Sequence, residues 1–486
     1  MKKILVWIEK NEWMLVVVSV GILLRIPSLF EPHWYGDEEI YLTIGQAINS
    51  GLKLYQQIHD NKPPLLYLMA ALSNGELFWF KFCLMIWNTL AIVTMYKLAR
   101  KLGFVKKKAI ASAGIFMALT SLPFLEGNIA NAEIFFLLPA MLAVIILWGK
   151  NISLKHIFVG GLFLGIGALF KMPILLEAGV WPLYWLIFEP KRWWSKSLIL
   201  AAGVLMPIGL SCVYYWWEGS LKAYLVAAWA QNLPYLSSWK ASGSGDGIFS
   251  LKGRLVVLIA LLAPILGLGK RLGKNLTFYL TWFVIGLFSA LLSGRPYPHY
   301  LVQIIPVLSL LVPELWIGEK YGRKAAVLAI VLAVITFNAY GFYNYPVIQY
   351  YQNFLEWTWG KKDRHNYFEW FDRQVNANYG VASLVSQISF PGDRLFVWGD
   401  QPSIYALSRR LPATKYTVKY HIKDFKAEGY SISEIANSLP RVIVSYGEED
   451  SLPGLQSVLL SRYMLVAKIS NAAVFRLYNS VAHGKD

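Results

Sequence analysis

Three consecutive acidic residues, followed later by a lysine in front of two prolines, form the most chemically suggestive pattern in the sequence. Asp37, Glu38 and Glu39 are adjacent, and the segment His59-Asp60-Asn61-Lys62-Pro63-Pro64 follows them. A carboxylate placed there could remove a proton from a hydroxyl group. The prolines restrict the backbone at Lys62, so its cation could bind a phosphate from a fixed position.

Plainer explanations of this pattern stay open at this point. Acidic residues are favoured at the start of a helix, and the stretch from Ile40 to Gly51 is typical of an amphipathic helix lying on a membrane surface. A lysine at the edge of a membrane commonly extends its ammonium group to water. Three acids nevertheless exceed what a helix start requires.

Further polar residues stand at the ends of apolar segments, where charges are costly and therefore usually paired or functional. These residues are Arg25, Glu133, Lys171, Arg295, His299 and Tyr300. Because acids and cations gather at one predicted depth, the sequence predicts a single outward-facing polar cavity, lined also by Glu39, Tyr41 and Asp60. For His299 taken alone, an interfacial histidine with satisfied hydrogen bonds is the commoner case.

The composition is that of a membrane protein. Of the 486 residues, 56% are hydrophobic and only 15% are charged, whereas soluble proteins have about 25% charged residues. This excludes a disordered chain and a coiled coil, and it disfavours a soluble globular protein. Two cysteines exclude a disulfide scaffold and a cysteine-rich metal site.

The apolar segments predict a polytopic α-helical protein, since about 20 apolar residues span a bilayer and about eleven such segments occur. They are 12–30, 77–98, 109–125, 133–149, 156–170, 173–188, 197–217, 254–269, 276–293, 300–317 and 325–345.

The charges of the connecting segments predict the orientation. With the N-terminus inside, basic residues concentrate in the inner segments 1–11, 99–108, 150–155, 189–196, 270–275 and 318–324, and acids in the outer ones. This distribution follows the positive-inside rule, so it explains the net charge of +17 without nucleic acid. We therefore expect an integral protein of the plasma membrane with its first helix uncleaved and its C-terminal region outside.

The chain divides into two predicted parts. Residues 1–345 form the membrane module, with long outer loops at 31–76 and 218–253; the second loop is either a mobile gate or a disordered connector. Residues 346–486 alternate short strands (394–399, 441–446) with helical patterns (401–409, 431–439), which predicts a small α/β domain. That domain has no nucleotide-binding motif and is interpreted as a cap or scaffold.

A lipid-linked phosphosugar would suit an outward site, because that compartment generally lacks nucleotide-activated substrates. The lipid would stay in the membrane while the phosphate met lysine or arginine and the sugar met carboxylates and aromatic rings. A carboxylate base would activate an acceptor hydroxyl, and cations would stabilise the departing phosphate. Attack opposite the leaving group would invert the anomeric carbon.

At these residues the chain resembles the GT-C glycosyltransferases, specifically the protein-mannosyltransferase and aminoarabinose-transferase-like group. The resemblance covers nearly the whole membrane part. It rests on Arg25-Ile-Pro, Tyr35-Gly-Asp-Glu-Glu-Ile-Tyr41, Asp60-Asn-Lys-Pro-Pro-Leu65, Asn128 with Glu133, Gly165-Ile-Gly-Ala-Leu-Phe-Lys171 and Arg295-Pro-Tyr-Pro-His-Tyr300.

The resemblance implies a polyprenyl-phosphate-sugar donor, an inverting transfer on the outer face, and a catalytic carboxylate at Asp37 with Glu38 beside it. It also implies that Lys62 binds the donor phosphate and that Glu133 matches the family's acid at the start of the fourth span, while Lys171, Arg295 and His299 match family positions less firmly. Tyr300 is predicted, with Lys171, Arg295 and His299, to contribute to donor binding. The extra acid Glu39 leaves the base open between positions 37 and 38. Some GT-C relatives use a divalent metal, but this subgroup suggests independence of metal, so no metal and no cofactor are expected.

Two alternatives to such an enzyme are a transporter or flippase of a lipid-linked or small polar substrate, and a scaffold that presents the C-terminal domain. A transporter commonly shows internal repeats and a site at the bilayer midplane, whereas no repeat is evident and the polar residues lie near one edge. A scaffold leaves Asp37, Glu38, Glu39, Lys62 and Arg295 unexplained. The acceptor of an enzyme could be a glycan, a lipid or a protein.

Overall fold

The structure is a computed structural model that describes residues 2–235, 247 and 249–478, with side chains from residue 12 onward except at 234 and 235. Most of the middle of the predicted outer loop 218–253 lies outside the described residues, and so does the predicted gate or connector there. Helices dominate the rest of the chain before residue 346.

Residues 1–345 contain a long series of helices joined by short connections. They are α1 (Lys2–Arg25), α2 (Gly36–Asn49), α3 (Leu65–Leu72), α4 (Leu77–Lys101), α5 (Lys106–Ser121), α6 (Ala132–Leu147), α7 (Leu154–Ala168), α8 (Ile174–Ala178), α9 (Val180–Phe188), α10 (Trp193–Glu218), α11 (Leu221–Tyr224), α12 (Asn232–Tyr235), α13 (Leu251–Gly267), α14 (Gly269–Leu272), α15 (Lys274–Ala290), α16 (Ile305–Leu311), α17 (Glu314–Ile317) and α18 (Lys320–Ala339). Tighter 3-10 turns occupy Ile26–Phe30, Pro123–Leu125 and Pro298–Ile304, and a wider π-helical turn occupies Leu225–Ala230.

Each predicted apolar segment coincides with one helical element or with two or three consecutive ones. By length and composition, five described helical segments can cross a membrane: Glu12–Phe30, Leu77–Lys101, Trp193–Glu218, Pro298–Ile317 and Lys320–Ala339. Shorter apolar helices lie at Ala132–Leu147, Leu154–Ala168, Ile174–Phe188 and Leu221–Ala230. The apolar helices indicate an integral membrane protein, while the predicted eleven spans and their orientation stay predictions.

Helix α2 begins at Gly36 with the three acids in its first turn, so the predicted helix is confirmed. Its predicted position on a membrane surface stays a prediction, but the helix is not exposed along one face. Residues 38–47 are all buried, because α3 packs on one side and a helix of the C-terminal region, Ser403–Ser408, packs on another. Gln46 Nε2 donates hydrogen bonds of 3.0 Å to the carbonyl oxygens of Gly75 and Ala406.

Small residues allow α7 and α10 to approach closely. Gly161 and Gly165 lie one turn apart on α7, and the Cα of Gly161 is 3.0 Å from where a side chain on Gly203 of α10 would begin. The carbonyl oxygen of Phe158 would overlap the same position. Such close contacts between small residues replace the hydrophobic effect as the source of helix association within a bilayer.

The C-terminal region, which begins after α18, forms the predicted α/β fold. Its helices are α19 (Val347–Thr358), α20 (Arg364–Glu369), α21 (Val375–Ile388), α22 (Ser403–Ser408), α23 (Lys419–Asp424), α24 (Glu428–Ser438) and α25 (Leu455–Arg462), and its strands are β1 (Arg394–Trp398), β2 (Leu411–Pro412), β3 (Val442–Ser445), β4 (Tyr463–Ile469) and β5 (Ala472–Leu477). The strand order is β2-β1-β3-β5-β4, in which β2, β1 and β3 are parallel and β5 is antiparallel to both β3 and β4.

Helices cover both faces of this sheet. Phe396 and Trp398 of β1 pack into one apolar cluster, and the alternating Leu395 and Val397 pack into another that includes Val381 of α21. Because successive side chains of a strand point to opposite faces, a strand covered on both faces must be apolar throughout. This explains the continuous apolar runs from which the strands were predicted.

Replacement of Gly203 by valine should weaken the contact between α7 and α10. The added side chain meets the Phe158 carbonyl group, which belongs to a helix backbone and cannot move aside, so we expect a loss of about 1–3 kcal/mol in unfolding free energy. Thermal unfolding of the purified protein in detergent would measure it. The matched control is Gly209→Val on the same helix, where an added Cβ has no atom within 4 Å; equal losses for both variants would contradict the proposed packing.

Candidate active site

The three acids at the start of α2 point in three different directions. Successive residues of a helix are separated by about 100° around its axis. Asp37 consequently turns towards Lys62, Glu38 towards Lys81, and Glu39 towards His33. Adjacent in sequence, they belong to three separate sets of contacts.

Asp37 and Lys62 form a partly exposed ion pair. The Lys62 Nζ lies 3.3 Å from Asp37 Oδ2 and 3.8 Å from Asp60 Oδ2, and it also stands 4.8 Å from the centre of the Tyr41 ring. The Tyr41 hydroxyl donates to Asp37 Oδ2 at 2.9 Å. Burial by itself would raise the pKa of Asp37, but the nearby charges of Lys62 and His299 lower it from 3.8 to about 2, so this carboxylate is ionised at neutral pH.

The backbone around Lys62 is held by two tyrosines. The Tyr67 hydroxyl donates to Asp60 Oδ2 at 2.8 Å and accepts the Lys62 backbone N–H at 3.0 Å. The Tyr55 hydroxyl donates to the Lys62 carbonyl oxygen at 2.9 Å. Together with the following prolines, these bonds fix the point from which the lysine side chain extends.

Glu38 belongs to a buried network centred on Lys81 of α4. The Lys81 Nζ lies 2.9 Å from Glu38 Oε2 and 3.0 Å from Glu31 Oε2, and it donates to the Asn128 carbonyl oxygen at 3.0 Å. The Ala130 N–H donates to Glu38 Oε1 at 2.6 Å. The Lys81 and Glu38 side chains are 0% and 2% exposed, so Glu38 is enclosed by this network.

Burial raises the pKa of Glu38 from 4.5 to about 7; the charge of Lys81 opposes this shift and that of Glu31 adds to it. Sequence reasoning missed Lys81, although a lysine inside the predicted apolar segment 77–98 is itself a signal of a buried ion pair.

Glu39 pairs with His33 instead of lining a cavity. Its Oε2 lies 2.7 Å from His33 Nδ1, and the carboxylate is buried. Burial lowers the pKa of His33, but the charge and hydrogen bond of Glu39 overcome this effect and raise it. Of the three acids, only Asp37 combines partial exposure, 34% for its side chain, with a neighbouring lysine.

A second group of charges lies where α6, α7 and the 298–304 turn meet. Lys171 forms an ion pair with Glu133 and stands 4.3 Å from the centre of the Tyr300 ring. His299 Nε2 lies 3.7 Å from Glu133 Oε1, and its Nδ1 contacts Glu126. The structure therefore brings Glu133, Lys171, His299 and Tyr300 together, and His299 links this group electrostatically to Asp37.

Glu126 is a member of this group that sequence reasoning had left among the loop acids. It is buried, accepts a hydrogen bond of 2.8 Å from the Tyr35 hydroxyl, and holds His299. Its backbone adopts the left-handed conformation, with φ at 55°. Non-glycine residues rarely adopt that conformation, and those that do are concentrated at functional sites. Nothing in the sequence alone predicts that Glu126 adopts it.

The two predicted arginines have different surroundings. Arg25 is buried and donates to the carbonyl oxygens of Thr120 and Gly127 at 2.6 and 2.7 Å, so it connects α1 to the last turn of α5 and to the loop before α6. Arg295 is half-buried in the turn after α15, where its backbone N–H donates to Ser293 Oγ at 3.4 Å. Among the residues that the structure describes, no group of three or more His, Cys, Asp or Glu side chains is arranged to hold a metal ion.

Comparison with solved structures identifies the fold. The chain is similar to ArnT from Cupriavidus metallidurans, an aminoarabinose transferase of the GT-C family. The structure bound to undecaprenyl phosphate matches over 98% of this chain and 100% of that chain, with a TM-score of 0.59 and 14% identity. The apo structure matches over 96% of this chain and 98% of that chain, with a TM-score of 0.59 and 13% identity.

No family model and no curated protein matches the sequence. The predicted GT-C fold with a small C-terminal sheet region is confirmed by the structural likeness, which at this identity concerns the fold alone.

Substitution of Glu38 by glutamine should flatten the dependence of stability on pH. Because the folded-state pKa is about 7, above the ordinary 4.5, the folded protein binds more protons than the unfolded chain between these values, and stability falls as the pH rises through them. A neutral glutamine removes this loss, which we expect to be about 1–3 kcal/mol.

The measurement is denaturant unfolding in detergent at pH 4.5 to 7, with Glu369→Gln, an exposed position of α20, as the control. A pH dependence that is the same in Glu38→Gln and in the wild type would show that Glu38 does not titrate in this range.

Proposed function

We propose that the chain is a membrane glycosyltransferase that moves a sugar from a polyprenyl-phosphate donor to a hydroxyl acceptor on the outer membrane face. The observation that carries this proposal is the Asp37–Lys62 pair at 3.3 Å, which is partly exposed and close enough to Lys171 to interact with it electrostatically. The GT-C fold adds support, since ArnT, which shares it, is bound to undecaprenyl phosphate in one of its structures.

Asp37 is the proposed general base and Lys62 the proposed phosphate ligand. While it is paired with Asp37, Lys62 neutralises this carboxylate and keeps it a weak base. When the ammonium group turns to a phosphate, Asp37 loses that partner and becomes a stronger base for an acceptor hydroxyl. Donor binding would thus activate the carboxylate that attack requires.

Glu38 is the less suitable base. Its carboxylate is almost wholly inaccessible and is bonded to Lys81 and to the Ala130 N–H. A base must come within hydrogen-bonding reach of the proton that it removes. The register of the base, which the sequence left open between positions 37 and 38, is therefore assigned to Asp37 in this proposal.

The second group supplies further donor contacts in this mechanism. Lys171, oriented by Glu133, would carry positive charge towards the departing phosphate, and His299 would lie beside it, held by Glu126. Tyr300, Tyr41 and Asp60 offer ring and oxygen surfaces for the sugar or the acceptor. Attack on the anomeric carbon from the side opposite the phosphate inverts its configuration.

A transporter of lipid-linked or small polar substrates is less well supported. Glu133 lies in the first turn of α6, Lys171 follows the last turn of α7, and His299 opens the turn before α16. These charges lie at helix ends, but transporters are typically built from internal repeats, and no internal repeat is evident in the sequence.

The direct test is incubation of the purified protein with defined polyprenyl-phosphate sugars and glycan, lipid and hydroxyl-peptide acceptors, followed by mass spectrometry of the products. Transfer to one acceptor class supports the proposal. Movement of the intact lipid-linked sugar between leaflets of a vesicle, without any product, would favour the transporter.

Asp37→Asn should abolish most of the transfer while the fold persists. Asparagine preserves the shape and can accept the Tyr41 hydrogen bond but cannot take up a proton, so we expect a rate reduction of about 10²–10⁴-fold. The control is Asp363→Asn, an exposed helix cap that asparagine also satisfies. Undiminished turnover by Asp37→Asn would refute its role as the base.

Lys62→Ala should mainly weaken use of the donor. Loss of a charge-assisted hydrogen bond to phosphate should raise the KM for the polyprenyl-phosphate sugar by roughly tenfold or more. The matched control is Lys53→Ala in the same loop, where the ammonium group donates to the Glu218 carbonyl oxygen instead of pairing with a carboxylate. A KM that is unaltered in Lys62→Ala would count against phosphate binding by Lys62.

A further inference from the structure

The C-terminal domain reaches the segment that carries Lys62. His421 of α23 places its Nε2 3.6 Å from Asp60 Oδ1, and the two side chains are 6% and 2% exposed. Beside this contact, the His59 backbone N–H donates to the Lys415 carbonyl oxygen at 2.8 Å. Sequence reasoning treated the domain as a cap or scaffold and did not consider any of its residues for the site.

Aromatic rings pack around the contact between the C-terminal domain and the segment that carries Lys62, and they stabilise it. The His59 ring meets Tyr416 and Phe425 edge-on, with centroids 5.0 and 5.1 Å apart, and lies 6.3 Å from the His421 ring. The Phe425 ring also packs on His421 at 5.5 Å. A displacement of α23 would therefore displace residues 59–62 as well.

Binding of a donor would affect the carboxylates of Asp60 and Asp37 differently, because only Asp37 is accessible to water. Lys62 lies close to both carboxylates and would leave both when it turns to a phosphate. Asp37 is one-third exposed and can be solvated by water. Asp60 is buried, with the Tyr67 hydroxyl and the Asn61 N–H as hydrogen-bond donors, and a buried carboxylate that loses its cation is strongly destabilised.

We propose that His421 is a positioning residue that takes over Asp60 when Lys62 binds the phosphate of the lipid donor, so that the C-terminal domain takes part in donor binding. This inference rests on the proposed function, because it needs Lys62 to be the phosphate ligand. The imidazole takes one proton from solvent and becomes the counter-ion of Asp60, and one proton is taken up for each donor bound.

The charges around His421 support this exchange. Burial lowers the pKa of His421 and the charge of Lys62 lowers it further, while Asp60, Asp37 and Asp424 oppose the shift. A phosphate on Lys62 offsets the positive charge of that lysine, so protonation of His421 becomes easier.

The remaining neighbours cannot replace His421 as the cation. Burial lowers the pKa of His59 to about 3, so this ring stays neutral. The Lys415 ammonium group stands over the rings of Tyr416 and Tyr430, 5.0 Å from each centre.

The experiment measures binding of undecaprenyl phosphate to the full-length protein in detergent between pH 5.5 and 8, without any transfer reaction. His421→Ala should raise the Kd by roughly tenfold. His421→Gln keeps a polar side chain of similar size that cannot be protonated. In the wild type, the part of the affinity for undecaprenyl phosphate that depends on protonation of His421 falls as the pH rises. This pH-dependent part should be absent in His421→Gln. The second ionisation of the phosphate, near pH 6, is common to both proteins and cancels in the comparison.

The matched control is Arg409→Ala, which also cuts a link between the C-terminal domain and the membrane module, at Glu76, but touches neither Asp60 nor Lys62. Its Kd should equal that of the wild type. The same loss in Arg409→Ala as in His421→Ala would overturn the specific role of His421.

Two further outcomes separate this inference from the proposed function. Wild-type binding combined with an unchanged Kd and pH dependence in both His421 variants overturns the inference and leaves the proposed function standing. No binding of the lipid phosphate by the wild-type protein overturns both. Should His421→Ala fail to fold, His421→Gln alone decides through its pH dependence.

Discussion

A single buried ammonium group determines the arrangement of the site. Lys81 is fully enclosed and binds Glu31 after the first helix, Glu38 in α2, and the Asn128 carbonyl oxygen before α6. Leaving any of these charges unpaired in a low-dielectric interior costs several kcal/mol. The segments must therefore keep one register, and the direction of Asp37 follows from that of Glu38 because the two are neighbours on one helix.

Lys62 and Lys81 both form ion pairs with the acids of α2, but one pair is accessible to solvent and the other is buried. Lys81 has no exposed surface and contacts Glu31, Glu38 and the Asn128 carbonyl oxygen, so it holds these segments together in a structural role. Lys62 is partly exposed, and its ammonium group lies 3.3 Å from Asp37 and 3.8 Å from Asp60, farther than Lys81 lies from its two carboxylates. An ion pair that is accessible to solvent can exchange a carboxylate for an incoming anion, whereas a fully buried pair cannot.

Local patterns predicted much of the fold, because hydropathy and strand length are properties of neighbouring residues. The apolar segments, α2 and strands β1 and β3 could all be recognised in this way. The burial of α2 could not, since it depends on α22, more than 300 residues away in the chain. The divergence of Asp37, Glu38 and Glu39 follows from helix geometry alone, but their partners, such as Lys81, and the histidine of α23 beside Asp60 are set by long-range packing.

The separation between Gln46 and Ala406 also has a consequence for biosynthesis. These two hydrogen-bonded residues are 360 positions apart, so at about 5–20 residues per second the ribosome needs roughly 20–70 s to supply the second after the first. Throughout that interval α2 has been synthesised but α22, which packs against it, has not. A message truncated before α22 would yield a chain with its apolar helices inserted but with α2 uncovered around Gln46, a form that proteases could distinguish from the finished protein.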